Sequence, residues 1–208
     1  MGVLVRSDSI AHLTPAGREA LTAYGVTTVI DLRTVGEISR VPNPFADNKG
    51  AAYRHLPMID DSMMVELGAA SGMFERYLMI LNSHQDAFRG IFEAVAEAEG
   101  PTVFHCFAGK DRTGLVAAML LSLAGVPDDA IASDFAETDA QLAARYQEWI
   151  AAAAPERRSE MREEFHCPPD RILGVLEHLN KKWGGVPAYL EASGMKPESI
   201  DSLGAKLA

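Results

Sequence analysis

Apolar residues along the chain form short continuous runs and longer stretches with helical spacing, and the two kinds of pattern alternate. Residues 26–32 are a nearly unbroken apolar and β-branched run, which is typical of a buried parallel strand. Shorter runs predict three more strands, at residues 3–6, 52–56 and 101–105. The alternation predicts an α/β fold in one domain, residues 1–208, with a central, mostly parallel sheet of about four or five strands flanked by helices.

Helical spacing fills most of the remaining chain, and the first helix carries clear signals at both ends. Thr14 is a suitable N-cap, and Pro15 suits the first helical position. Gly25 suits the C-terminal cap, so this helix is predicted to end at residue 24. Further helices are predicted at residues 74–81, 85–98, 112–124, 137–153, 156–165, 171–182, 186–192 and 198–207.

Single residues predict two other helix boundaries. Ser83 followed by Asp86 predicts a capping-box variant at the start of the helix at 85–98. Pro155 interrupts the alanine-rich, charged stretch at 128–165. Because proline removes a backbone donor and clashes with the preceding turn, the helices on its two sides are predicted to be separate.

The segment HCFAGKDRTG, residues 105–114, joins a predicted strand to a predicted helix and concentrates the candidate chemistry. Cys106 stands where the strand ends, and Arg112 stands six residues later where the helix begins. Backbone N–H groups at such a helix N-terminus form a phosphate site. Gly109 and Gly114 suit a loop that turns sharply and approaches a ligand closely.

Cys106 is a candidate nucleophile because its neighbours can stabilise a thiolate. A free cysteine has a pKa near 8.5, so roughly 3% of it is ionised at pH 7. Lowering that pKa to about 5 requires about 5 kcal/mol, of which a helix dipole contributes about 0.3–2 kcal/mol. The remainder must come from Lys110, Arg112 and the amides of residues 107–112, while Thr113 is placed to donate its hydroxyl to the sulfur.

The phosphate would be bound by the whole loop that follows the cysteine. The planar guanidinium of Arg112 matches two phosphate oxygens at once. His105 is expected to hold the loop in place. The predicted phosphate-binding residues are Phe107, Ala108, Gly109, Lys110, Asp111 and Arg112.

The segment at 105–114 resembles the cysteine-dependent protein tyrosine phosphatases, in particular the bacterial and fungal tyrosine/serine phosphatase branch, whose loop carries Lys and Asp just before Arg. The resemblance also covers Arg6-Ser7-Asp8, residues 29–33 with Glu37, and residues 189–191. Relatives usually carry an Arg-Asp-Leu-Gly-Gly-like segment ahead of the first of these elements. This sequence has only five residues there, so a shortened first sheet edge, or a piece of a longer protein, is expected.

The resemblance implies hydrolysis of a phosphate monoester through a cysteinyl-phosphate intermediate, with Cys106 and Arg112 as catalytic residues. It favours Asp111 as the general acid. Asp60 or Asp61 is the alternative, because many related phosphatases place this acid on a mobile loop before the cysteine; capping of a helix is the simpler interpretation of that pair.

The implied substrates are phosphotyrosine proteins first, with phosphoserine and phosphothreonine proteins if the enzyme has dual specificity. Lys110 resembles the lysine of phosphoinositide phosphatases, but the acidic chain argues against a membrane headgroup, so phosphoinositides rank second. Relatives often carry a helical lid after the loop, and residues 136–166 are the corresponding segment; a solvated helical pair is the alternative. A non-catalytic phosphate-binding module is the competing class of function.

Asp31 and Arg33 flank the carboxyl end of the strand at 26–32, where ligands gather in open α/β sheets. Arg33 could therefore face the same cleft as Cys106. An internal ion pair, either Asp31–Arg33 or Arg33–Glu37, is the favoured interpretation.

Composition and net charge limit the classes of partner and substrate that the chain is expected to bind. The chain of 208 residues is 48% hydrophobic and 23% charged, an ordinary globular composition. Its net charge of −10 predicts repulsion of nucleic acid and of anionic membrane surfaces, which favours small phosphorylated groups. No run of 18 apolar residues is present, so no membrane span is predicted.

The two cysteines, Cys106 and Cys167, are too few for a secreted disulfide scaffold, which favours a reducing, cytoplasmic location. Cys167 is interpreted as a packing residue, with a redox partnership with Cys106 as the alternative. No Cys/His spacing is typical of a metal site, and no cofactor is predicted.

Overall fold

A computed structural model describes residues 4–47 and 49–207 and has a single four-stranded sheet in which every neighbouring pair is parallel. The spatial order is β1-β4-β2-β3, so β1 is an edge strand. This confirms the predicted α/β fold with a parallel sheet. Val3, in the predicted first strand, lies outside the described residues. The strands are β1 Leu4–Ser7, β2 Thr28–Asp31, β3 Ala52–His55 and β4 Thr102–His105.

The parallel register brings the carboxyl ends of the strands to one edge of the sheet. His105 at the end of β4 is level with Ser7 of β1 and with Asp31 of β2, and Asp31 is level with His55 of β3. Cys106 follows directly, so the chain leaves the sheet at the edge where ligand sites of open α/β folds form.

Eleven α-helices and two short 3₁₀ segments, at Ile10–His12 and Pro155–Arg157, surround the sheet within the described ranges. The α-helices are α1 Pro15–Tyr24, α2 Val35–Arg40, α3 Asp61–Leu67, α4 Met73–Ser83, α5 Gln85–Glu97, α6 Asp111–Leu123, α7 Asp128–Ala152, α8 Arg158–Phe165, α9 Pro169–Trp183, α10 Val186–Ala192 and α11 Pro197–Leu207. None of these helices is both long and apolar enough to cross a membrane.

Most helix predictions are confirmed, and the exceptions have local causes. Thr14 caps α1 and Gly25 ends it in the left-handed conformation, as predicted. The predicted capping box at Ser83 is wrong, because Ser83 is still the last residue of α4 and α5 begins after His84 without a side-chain cap. Helix α2 was not predicted, since its six residues are too few for a clear apolar period.

The segment predicted as a lid, residues 136–166, comprises the second half of α7, the 3₁₀ turn and α8. Helix α7 begins at Asp128, nine residues before the predicted start, and Pro155 separates it from α8 as predicted. The function of this segment as a lid stays a prediction.

The two faces of the sheet pack into two apolar clusters. In the central strands, Ile30 and Phe104 belong to the larger cluster, while their neighbours Val29 and Val103 belong to the smaller one. This alternation follows from the two-residue period of a strand. Helix α6 is buried from Arg112 to Leu120, so it lies in the larger core and fixes the start of the helix that follows the loop.

Candidate active site

The loop between β4 and α6, residues 106–110, places a cysteine at the edge of the sheet. Cys106 is 2% exposed and carries a free thiol. Gly109 adopts a φ of +66°, and a Cβ atom there would lie 2.4 Å from the carbonyl oxygen of Ser7. The loop passes so close to the end of β1 that only glycine fits at position 109, as predicted. The Arg6 side chain donates to the Gly109 carbonyl at 3.3 Å and braces the same point.

The backbone amides of the loop are available to a ligand. None of the N–H groups of residues 107–112 donates a hydrogen bond to another residue of the described ranges. The last of them open α6, where the helix dipole is positive. Unpaired donors at a helix N-terminus favour an anion, as the sequence predicts.

Arg112 is buried and held by a carboxylate from another helix. Its Nη1 and Nη2 atoms donate to the two carboxylate oxygens of Glu37 at 2.6 and 2.8 Å. Nη1 also lies 3.4 Å from the Leu32 carbonyl, whereas Nε donates to no described residue. The guanidinium is therefore fixed in plane, while Nε–H and the second N–H of Nη2 have no acceptor in the described ranges.

The charges around this ion pair stabilise both ionised forms. Burial opposes ionisation of Glu37, but the hydrogen bonds and charge of Arg112 lower its pKa below the ordinary value. Burial likewise acts to lower the pKa of Arg112, and the contact with Glu37 and the neighbouring Cys106 raise it above its usual range.

The carboxylate that holds Arg112 is itself positioned by a capping box at the start of α2. Thr34 accepts a hydrogen bond from the Glu37 amide at 3.2 Å, and Glu37 accepts one from the Thr34 amide at 2.7 Å. Asp61 ties this turn to α3, since its two oxygens accept from the Thr34 hydroxyl at 2.5 Å and the Gly36 amide at 2.9 Å.

The alternative acid candidates, Asp60 and Asp61, both have structural contacts. Asp60 caps α3 by accepting from the Met63 amide at 2.7 Å and from the Ser62 hydroxyl at 2.6 Å, and these bonds lower its pKa. Neither carboxylate makes a hydrogen bond to residues 106–112. The helix-capping interpretation is therefore confirmed for Asp60.

Asp111, the first residue of α6, is the acidic group of the loop. Its side chain is 33% exposed and its Oδ1 atom lies 3.0 Å from the Lys110 ammonium. The same oxygen accepts a hydrogen bond from the Tyr77 hydroxyl of α4. Asp111 lines two cavities, one of about 180 Å³ beside Tyr77 and Arg112 and one of about 240 Å³ beside Phe107.

Lys110 is turned toward the helical segment that follows the loop. Its side chain is 3% exposed, and its ammonium group donates to the backbone carbonyl of Glu164 in α8. Arg76 of α4 forms an ion pair with the Glu164 carboxylate at 2.8 Å. Helix α8 is therefore tied both to the loop and to α4.

His105 anchors the base of the loop, as predicted. Its Nδ1 lies 3.0 Å from the Cys106 carbonyl, and its Nε2 lies 2.9 Å from the Asn43 amide nitrogen. Because a carbonyl only accepts, Nδ1 carries the hydrogen and Nε2 accepts from Asn43. Burial lowers the pKa of His105, although the nearby Asp31 carboxylate acts to raise it. The lowered pKa keeps the ring neutral.

Asp31 and Arg33 form a closed ion pair below the loop. The Nε and Nη2 atoms of Arg33 donate to Asp31 at 2.9 and 2.7 Å. Of the two ion pairs considered from the sequence, Asp31–Arg33 is confirmed and Arg33–Glu37 is wrong, because Glu37 pairs with Arg112. Burial would raise the pKa of Asp31, but its hydrogen bonds from Arg33 and Asn43 lower it to about 2.

Aromatic side chains form a wall on the side of the loop that faces α7 and α8. Phe107, which follows the cysteine, is 53% exposed and stacks on Trp149 of α7 at 5.9 Å between ring centroids. Tyr146 stacks on Phe165 at 4.5 Å, and both line the 240 Å³ cavity with Phe107.

Two further residues that the sequence analysis considered, Thr113 and Cys167, are both buried. The Thr113 hydroxyl is buried and has no hydrogen-bond partner among the described residues, so its predicted bond to the Cys106 sulfur is not formed. Burial raises the pKa of the second cysteine, Cys167, to about 12, which suits a packing role.

No cluster of three or more metal-ligating side chains occurs in the described ranges.

Sequence reasoning missed two residues that position this site, Tyr77 and Asn43, and gave Glu37 the wrong partner. Tyr77 reads as an ordinary apolar position of α4, and Asn43 as part of a polar loop. For Glu37 a signal was present, since Thr34 followed by Glu37 has capping-box spacing and would have located the turn that carries it.

Proteins of similar sequence identify the family to which the chain belongs. A family model described as the tyrosine phosphatase family matches residues 1–208. A tyrosine-protein phosphatase of Nostoc commune is 31% identical over 220 residues, which cover 98% of this chain and 73% of the relative. The triple specificity protein phosphatase PtpB of Mycobacterium tuberculosis is 28% identical over 250 residues, covering 97% of this chain and 89% of the relative.

The chain therefore belongs to the tyrosine phosphatase family. The predicted class of enzyme, a protein tyrosine phosphatase, is confirmed by this membership.

Proposed function

We propose that this protein hydrolyses phosphate monoesters, with phosphotyrosine proteins as first substrates, through a phosphorylated Cys106. The observation that carries the proposal is the conjunction at one loop of a cysteine, a guanidinium fixed by Glu37, and unpaired amides at residues 107–112. These groups supply a nucleophile and the donors that stabilise a transferring phosphoryl group.

In the first step the Cys106 thiolate attacks phosphorus, an S–P bond forms, and the bond from phosphorus to the leaving oxygen breaks. Asp111 gives its proton to that oxygen, so the product alcohol or phenol leaves neutral. Arg112 and the loop amides donate to the three equatorial phosphoryl oxygens, where charge is spread in the transition state.

In the second step water attacks phosphorus, the S–P bond breaks, and the thiolate of Cys106 is restored. The Asp111 carboxylate takes the proton from the attacking water, which returns the acid to its starting form and releases inorganic phosphate. The two steps consume one water and need no redox partner or metal.

The aromatic wall favours aryl phosphates among the possible substrates. Phe107 and Trp149 present ring surface next to the loop, and a phenyl ring can stack on it. The name of the triple specificity relative supports a specificity that extends beyond phosphotyrosine. The Lys110 ammonium is engaged by Glu164 and Asp111, which supports ranking phosphoinositides second.

The proposal includes a reducing, cytoplasmic location, because both cysteines are free and a thiolate nucleophile must stay reduced. The net charge of −10 gives no support to a nucleic acid partner.

Turnover of p-nitrophenyl phosphate by purified protein in excess EDTA tests the activity. We expect turnover that vanadate inhibits and that Cys106→Ser abolishes, because a hydroxyl at this position is far less ionised than a thiol. Cys167→Ser is the matched control and should retain turnover. Phosphate binding without turnover in the wild-type protein would instead establish the non-catalytic module.

The acid is assigned by comparing three aspartate substitutions. Asp111→Asn should lower kcat/KM for phenyl phosphate by about 10²-fold, within the range of general-acid catalysis. Asp60→Asn should have little effect, since asparagine caps a helix as well as aspartate does. A nearly normal Asp111→Asn with a large loss in Asp60→Asn or Asp61→Asn would move the assignment.

The phosphoinositide alternative is tested with Lys110→Ala. A loss confined to inositol lipids, with phosphotyrosine peptide turnover retained, would favour the alternative. We expect a similar loss for both kinds of substrate, because Lys110 contacts Asp111 and α8.

A further inference from the structure

Tyr77 is a buried tyrosine whose hydroxyl makes one hydrogen bond within the described residues, to Asp111. It lies in the middle of α4, 1% exposed, and its ring packs edge-on against Phe135 of α7 at 6.4 Å. A phenylalanine would satisfy this apolar environment. The hydroxyl costs free energy when buried unless it is hydrogen-bonded, and it donates to Asp111.

The two oxygens of Asp111 differ in their contacts. Oδ1 accepts from the Tyr77 hydroxyl and lies 3.0 Å from the Lys110 ammonium. Oδ2 receives no hydrogen bond from any residue in the described ranges. Because both neighbours of Oδ1 are donors, a proton on Asp111 avoids that oxygen and resides on Oδ2.

Tyr77 stays a donor throughout the reaction. Burial and the Asp111 carboxylate raise its pKa well above the ordinary value, so the phenol keeps its proton at neutral pH. Its hydrogen bond therefore persists in both protonation states of Asp111, which alternate during the two steps.

We propose that Tyr77 is a positioning residue for the general acid, holding Oδ1 of Asp111 so that Oδ2 carries the proton that moves. The inference rests on the proposed function, because it presupposes that Asp111 is the acid. In the first step the Oδ2 proton passes to the leaving oxygen as the P–O bond breaks. In the second step Oδ2 takes a proton from the attacking water, while the Tyr77 hydroxyl proton does not move.

The proposal predicts a dependence on the leaving group. A phenolate needs a proton more than a p-nitrophenolate does, so loss of a well-placed acid harms phenyl phosphate more. Tyr77→Phe should lower kcat/KM for phenyl phosphate about tenfold and change it for p-nitrophenyl phosphate by less than about threefold. The ratio kcat/KM reports the step that breaks the P–O bond, independently of hydrolysis of the intermediate.

A double substitution separates positioning from general support of the fold. Once Asp111→Asn has removed the acid, Tyr77→Phe should cause no further loss for phenyl phosphate. An additive loss in this background, or an equal loss with both leaving groups in the single variant, would overturn the proposal.

Tyr189→Phe is the matched control, because Tyr189 is also a buried tyrosine, and its hydroxyl donates to the Leu81 carbonyl at 2.9 Å. It should leave the ratio of the two kcat/KM values unchanged. If the wild-type protein turned over neither ester, the proposed function itself would fail. Wild-type turnover with an unchanged leaving-group ratio in Tyr77→Phe would refute only the role of Tyr77.

Discussion

Two buried arginine–carboxylate pairs stand at the same edge of the sheet, and they differ in how completely each arginine is used. In the Asp31–Arg33 pair, all three guanidinium nitrogens of Arg33 donate, two to Asp31 and the third to the Val41 carbonyl at 2.9 Å. Asp31 also accepts from Asn43 at 2.9 Å. This pair is closed, since both side chains are buried and every guanidinium nitrogen of Arg33 has an acceptor.

The Glu37–Arg112 pair is open by comparison. Arg112 commits its two terminal nitrogens to Glu37 and leaves Nε without an acceptor in the described ranges. It also lines a cavity of about 180 Å³ together with Asp111. An arginine–carboxylate pair therefore has two different roles here. The closed pair supports the base of the loop through its contact with His105. The open pair presents a hydrogen-bond donor to the site.

Removing the carboxylate of each pair should reveal this division in stability. Asp31→Asn leaves the Arg33 charge buried without a counter-ion, and we expect it to lower the free energy of unfolding by about 3–5 kcal/mol. Glu37→Gln should cost less, about 1–2 kcal/mol, because Glu37 and Arg112 are 12% and 9% exposed and water can solvate the charge that remains, whereas the Asp31–Arg33 pair is almost fully buried. Urea denaturation measures both, and equal losses would contradict the distinction.

Replacing the arginine of each pair by lysine should reveal the division in activity. Lysine keeps the charge but lacks the planar fork, so Arg112→Lys should lower kcat/KM for p-nitrophenyl phosphate by about 10²–10³-fold. Arg33→Lys should leave kcat/KM per folded molecule nearly unchanged. A comparable activity loss in a well-folded Arg33→Lys protein would mean that the closed pair takes part in the chemistry.

The two pairs also show how far sequence reasoning reaches. The closed pair joins residues two apart at the end of a clear strand, so local pattern located it. The open pair joins residues 75 positions apart, and the nearer Arg33–Glu37 spacing offered a plausible but wrong partner. Tertiary structure brings Glu37 to Arg112 through the short helix α2, whose six residues give no strong periodic signal.

The loop itself was predictable because the residues that define its chemistry are adjacent in the sequence, at 105–114. Cys106, Gly109 and Arg112 have to be at these spacings for a turn between strand and helix, and the structure has that turn. The partners of Asp111 were not predictable in the same way. Tyr77 is 34 positions away, and its aromatic ring fits the apolar face of α4 whether or not its hydroxyl has a function.

The closed pair should also make stability depend on acid pH. The folded-state pKa of Asp31 is about 2, against an ordinary value of 3.8, so the unfolded chain binds this proton first as the pH falls. The stabilisation is fully present above about pH 4 and is lost as the pH falls toward 2, which amounts to about 2 kcal/mol. The lowered pKa of His105 adds an earlier decline below about pH 6.5, since the unfolded imidazole takes its proton before the buried one.

Urea denaturation at a series of pH values separates these two contributions, because they occupy different windows. In Asp31→Asn the decline between pH 4 and 2 should be shallower, since asparagine does not titrate, while a decline that begins near pH 6.5 should remain. A wild-type protein whose stability stayed constant between pH 6.5 and 2 would contradict both assignments. It would mean that the closed pair and the neutral His105 ring are not linked to folding as their burial requires.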